Sequence, residues 1–144
     1  MALTAFLNNQ VGFKIGTVDL SDHVKQITIN QKFDELEVTA MGQTGHVFVK
    51  GLESSSITVS FLNDDSTGSV LATLEAAYGS SASFKACQVA SAGSATISAT
   101  NKLYSGLILI NNLTPINGAV GDISTQDITF TVNGSITVAD TGTF

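Results

Sequence analysis

Apolar residues recur at every second position along most of this chain, which predicts strands half buried in a sheet. Val24–Asn30 puts Ile27 and Ile29 on one face and Gln26, Thr28 and Asn30 on the other. Ile57–Phe61 alternates in the same way, as do Asp127–Val132 and Ser135–Val138. Asn133-Gly134 lies between those last two runs and predicts a two-residue hairpin turn. Leu103–Ile110 is apolar on both faces and reads as a strand covered on both sides. Val11–Val18, Ser83–Val89 and Ala95–Ala99 are shorter candidates. Thr, Val and Ile fill these runs, so intrinsic propensity agrees with the pattern.

One segment changes period. Thr67–Tyr78 places Val70, Leu71, Leu74, Ala77 and Tyr78 on a single stripe, predicting one helix of about three turns laid on a sheet. Asp64, Asp65 and Ser66 precede it as cap and favourable charge, and Gly79 stands where a helix ends. Two stretches fit neither period. Phe33–Glu53 gathers Asp34, Glu35, Glu37, Lys50 and Glu53 with alternating pieces such as His46-Val47-Phe48-Val49. A long structureless loop inside a compact domain is unusual, so this segment is expected to protrude and to act. Drawn out as a hairpin it would reach roughly 35 Å. Asn111–Gln126 holds the one proline, Pro115, and the turn-like Gly118–Asp122. Length and the lack of repeats or linkers give a single domain over residues 1–144, with room for terminal arms at 1–10 and 139–144.

Composition narrows the function. The chain is 43% hydrophobic and only 12% charged, about half the usual charged share, with Ser, Thr, Asn and Gly making up the difference. Lys and Glu are scarce on surfaces that a partner covers. Twelve acids face six Lys and no Arg, and the Lys are scattered singly. Tight nucleic-acid binding, which needs clustered cations and the Arg fork, is not expected. The lone Cys87, in an apolar stretch, reads as a small buried residue rather than half of a disulfide. The start lacks a basic leader region and no window holds ~20 apolar residues, so neither a signal peptide nor a membrane span is expected.

No constellation of catalytic residues emerges. Neither a G-x-S-x-G elbow nor a phosphate-binding glycine loop is present, and two His and one Cys are too dispersed for a zinc motif. His46 with Asp34, Glu35 and Glu37 is the sharpest metal or acid–base candidate, against which stands a solvated or intersubunit charged hairpin, the reading we adopt. His23 beside Asp22 is expected to hydrogen-bond at a strand start. Asp64-Asp65 is accounted for by capping. Tyr78 and Tyr104 lie on apolar stripes, and a chain without Trp is poorly equipped to stack on sugars. We expect no enzyme, no cofactor and no metal.

The order of the parts carries a resemblance. Asp19-Leu20-Ser21-Asp22-His23-Val24 enters a strand, and a charged segment then reaches Thr39-Ala40-Met41-Gly42-Gln43-Thr44-Gly45-His46. Lys50-Gly51-Leu52-Glu53 leads into the next strand. One helix, Tyr104-Ser105-Gly106 and the Pro115–Asp122 segment follow in order. Over about residues 15–138 this resembles the tail tube (major tail) proteins of long-tailed, siphovirus-type bacteriophages. The resemblance implies a mostly-β sandwich or barrel subunit with one flanking helix and a long protruding loop. Six copies would close into a ring, and rings would stack into a tube that conducts DNA during ejection. Partners would be the chain itself and other tail proteins such as the tape measure, terminator and distal tail proteins. The protein would be made in the host cytoplasm and reside in the virion tail. The matching loop would make the inter-ring contact through Phe33, Asp34, Glu35, Glu37, Met41, His46, Phe48, Lys50 and Glu53. Asp22, Asp122 and Asp127 flank strands and are candidates to face the lumen, where an acidic, Arg-free surface would let a polyanion slide. A capsid decoration or other minor virion protein is the alternative, and a carbohydrate-binding adhesin module a further one.

Overall fold

A computed structural model describes residues 10–90 and 96–144 of the chain. It is mostly β, with a curled antiparallel sheet and one helix. The strands are β1 (Gly12–Ile15), β2 (Val18–Asp19), β3 (Val24–Asn30), β4 (Phe33–Glu37), β5 (Phe48–Glu53), β6 (Ser56–Leu62), β7 (Ser81–Cys87), β8 (Leu103–Leu109) and β9 (Thr125–Ala139). The helix α1 spans Val70–Ala77. Seven strands form one sheet in the order β2-β1-β7-β8-β9-β6-β3, while β4 and β5 pair only with each other.

Alternation places the core. Phe13 and Ile15, Ile57, Val59 and Phe61, Phe84 and Ala86, and Ile128, Phe130 and Val132 all point to the inside of the curl and are buried. Val70 and Leu74 of α1 close it, as the helical stripe predicts. Phe13 and Phe61 meet with ring centroids 6.1 Å apart at 48°, a tilted arrangement that aromatic quadrupoles favour. On the opposite side of the sheet Phe144 packs with Cys87 and Leu103, so the carboxy-terminal residues fold back onto the domain. Lys14 lies over the Phe144 ring at 4.9 Å.

Several local expectations are corrected. Asn133-Gly134 is not a turn: β9 runs unbroken through it as a 15-residue strand. From Ser105↔Thr137 to Leu107↔Asn133 the chain advances two residues on β8 and four on β9, so β9 bulges there. Gly134 takes a φ of +93°, which a side chain would resist. The surplus of two residues preserves the alternation, so Ile136 is buried on the same side as Val132. Gly106 lies opposite the bulge, where an added Cβ would come within 3.1 Å of the Ser135 carbonyl and 3.2 Å of the Phe84 ring. The turn signal was real as a backbone signal, but cross-strand pairing with β8 on both sides of it used the glycine as a bulge.

The segment Val11–Val18 is a tight hairpin of β1 and β2, not one strand. Near Ala95–Ala99 the described residues form only the bridge Ser98↔Asn101, and Ala95 lies outside them. The candidate amino-terminal arm also lies outside the described residues, Gln10 excepted. Leu103–Ile110 is not covered on both sides: Ile108 and Ile110 are buried, whereas Leu107 is 45% exposed and Leu109 is exposed beside it. The helix starts at Val70 with Ser69 in the capping position and no side-chain cap. Asp64 instead accepts the Ser66 N–H and hydroxyl, closing a turn before the helix. Tyr78 ends the helix at 61% exposure, so it does not belong to the core face. That corrects the argument that both tyrosines are packed away, since only Tyr104 packs against the core.

Candidate functional site

The hairpin β4–β5 leaves the domain between β3 and β6, carrying the 33–53 segment outward as expected. Its register pairs Glu35 with Lys50, Leu36 with Val49 and Glu37 with Phe48. Val38 donates its N–H to the Val47 carbonyl at 2.8 Å, continuing the ladder. Residues opposite one another in an antiparallel pair share a face. One face is therefore Leu36, Val49, Val38 and Val47; the other holds Glu35, Lys50, Glu37, Phe48 and His46. All four apolar residues of the first face are exposed.

Polar contacts organise the tip. His46 Nδ1 lies 2.6 Å from Glu37 Oε1, and Thr39 donates to the same carboxylate oxygen at 3.1 Å. The Val47 N–H donates to Thr39 Oγ1 at 2.9 Å, and the Ala40 N–H to Gln43 Oε1 at 2.6 Å. Met41 sits at the extremity, fully exposed. Lys50 lies over the Phe33 ring at 5.5 Å. Of the acids grouped with His46, only Glu37 meets it; Asp34 and Glu35 have no polar partner among the described residues. Among these residues no group of three or more His, Cys, Asp or Glu is arranged to hold a metal ion.

At the base, Glu53 reaches back to the large sheet. Its Oε2 accepts the N–H of Ile136 at 2.9 Å, satisfying a donor that the β9 bulge removes from the ladder. Opposite Asp34 stands Gly51, where a Cβ would meet the Asp34 carbonyl at 2.7 Å. β5 has one more residue than β4 between Phe33↔Glu53 and Glu35↔Lys50, so the hairpin is kinked just where it leaves the domain.

The residues singled out from the sequence cover the charged face and the tip but omit Leu36, Val38, Val47 and Val49. A signal for them existed: Leu36 and Val38 alternate with Glu35 and Glu37 at period two. Charge density drew attention to the other face.

The candidate lumen acids are not brought together. Asp22 belongs to a short 3-10 turn (Ser21–His23) and hydrogen-bonds His23 Nδ1 at 2.7 Å. Asp122 closes an exposed turn through its N–H to the Ala119 carbonyl. Asp127 is on the outer face of β9, where it accepts the hydroxyl of Ser60 on β6. That outer face carries cross-strand rows of short polar side chains. Thr28, Thr58 and Thr129 stand in register across β3, β6 and β9, with Thr58 and Thr129 hydroxyls 3.1 Å apart.

His23 ties the 3-10 turn to the start of the helix. Its Nε2 is 3.0 Å from Asp64 Oδ2 and 3.2 Å from Ser69 Oγ. Burial works against its charge, but hydrogen bonds and attraction from Asp64 and Asp22 outweigh burial and raise the imidazole above its ordinary value. The Ser66 hydroxyl and N–H, then His23 and Ser69, hold the Asp64 carboxyl well below the usual carboxylate range. Burial pushes the Cys87 thiol up, as suits an unreactive packed side chain.

No protein-family model matches the chain, and no curated protein is significantly similar to it. No helix among the described residues is long and apolar enough to cross a membrane.

Proposed function

We propose that this chain is a structural virion protein, the subunit of a phage tail tube, which assembles with copies of itself into stacked hexameric rings and performs no catalysis. The observation that carries the reading is the uncovered apolar face of β4–β5. A two-stranded ribbon is marginal by itself in water, and this one leaves Leu36, Val38, Val47 and Val49 exposed among the described residues. Covering each fully adds on the order of 1 kcal/mol, since about half of each is already buried. Such a surface calls for a partner. Two further features support a repeating partner. The sheet ends in edges at β2 and β3 that no described strand pairs with, and strands of further copies would cover them. The hydroxyl-rows face with the single acid Asp127 suits a wall past which DNA slides, because it offers no cluster of cations to phosphate. Other tail proteins would cap the ends of the tube.

Negative-stain imaging of the concentrated protein tests the proposal, with hollow tubes or six-fold rings as the expected result. A monodisperse monomer at every concentration would overturn it and leave the decoration-protein alternative.

A further inference from the structure

A stack of identical copies in one direction is a heterologous assembly, so the hairpin of one copy must meet a different surface on the next. A groove of about 610 Å³ runs beside β3. Val24, Ile27 and Ile29 line one wall, and Ala86 and Tyr104 the other. All three β3 side chains are only partly buried, so the groove keeps apolar surface that the chain's own core does not cover. β3 is also the last strand of the seven-stranded sheet, and its outer edge has no partner among the described residues.

We infer that this groove and the free edge of β3 are the socket for the β4–β5 hairpin of a second copy. The inference rests on the tube-subunit reading and names the surface that receives the hairpin. Three complementarities select this occupant. The hairpin offers a two-stranded ribbon with free edges, and β3, paired with β6 along one side, offers the backbone groups of its other side, so the ribbon adds to the sheet by strand augmentation. Its Leu36–Val49 and Val38–Val47 face meets the half-covered Ile27 and Ile29. At the rim, Lys25 lines the groove and has no ion-pair partner among the described residues, and neither has Glu35 on the hairpin. The hairpin's excess of acids thus meets a cation. Augmentation explains why β3 ends in a bare edge, and why the apolar hairpin face needs no cover from its own chain.

Charge exchange at the rim is the test, because Lys25 and Glu35 are both exposed and neither substitution touches the core. Lys25→Glu and Glu35→Lys, each alone, are expected to raise the protein concentration at which tubes appear in negative stain by about tenfold through like-charge opposition. The double variant K25E/E35K is expected to return it to the wild-type value. Wild-type assembly by K25E, or a double variant no better than the two singles, overturns the socket. Neither result touches the broader reading, which fails instead if the wild-type protein never forms rings or tubes. Circular dichroism of each variant, expected to match wild type, separates loss of assembly from loss of fold.

Discussion

The carboxylate of Glu53 accepts the backbone N–H of Ile136 at 2.9 Å, joining the foot of the protruding hairpin to the bulge of the longest strand. The bulge leaves the N–H without a partner on β8, and the hairpin supplies one. Two irregularities of the sheet therefore satisfy each other. Glu53→Ala strands a partly buried donor and should destabilise the domain by about 1–3 kcal/mol, whereas Glu53→Gln keeps an acceptor and should cost less. Urea denaturation of the two variants checks the order; equal losses would show that the bond contributes nothing specific.

The helix divides sharply into a packed side and an exposed end. Leu74 is fully buried, so Leu74→Ala should cost about 2–5 kcal/mol. Tyr78 is largely exposed, and Tyr78→Ala should stay within roughly 0.5 kcal/mol. Thermal unfolding of both reads the contrast directly.

The apolar hairpin face is legible as an assembly surface only if it is dispensable for folding. Val49→Asp should leave subunit stability within about 0.5 kcal/mol of wild type, because Val49 touches no core residue cluster. The same variant should lose tube formation. Sedimentation alongside denaturation measures both; normal tubes from Val49→Asp would remove the hairpin face from the interface.

His23 gives the fold a pH dependence with a definite sign. Its folded value lies above the ordinary 6.5, so its favourable interactions with Asp64 and Asp22 are fully present below that pH. They are lost as pH rises from there through the folded value. Asp64 acts oppositely: lowered from 3.8, it contributes above that pH and its contribution falls away in acid. His23→Gln should therefore flatten the fall in stability as pH rises above 6.5 while leaving the acid limb. Chemical denaturation across pH 5 to 9 tests it.

Backbone strain marks the bulge. With φ at +93° in Gly134 and open space around its Cβ position, Gly134→Ala should cost about 1–2 kcal/mol from conformation alone. A type I′ turn would show a similar penalty, so the diagnostic is Gly106→Ala opposite it, whose Cβ would press on the Ser135 carbonyl and should cost about 1–3 kcal/mol.

The sequence by itself determined the mostly-β class, the inward sets on β6 and β9, the one helix with its terminating Gly79, and the outward reach of residues 33–53. Those follow from local periodicity and backbone preference, which each segment carries alone. Only the tertiary structure decided the rest. Asn133-Gly134 suits a turn and a bulge equally, and the choice fell to pairing with β8, some thirty residues earlier. Leu107, Leu109 and Tyr78 have apolar character at positions that stay exposed among the described residues. Which β5 residues join Leu36 and Val38 on the apolar face depended on the register of β4 against β5, a relation between strands that no single segment contains. Burial is a property of neighbours, and neighbours distant along the chain are chosen by the fold as a whole.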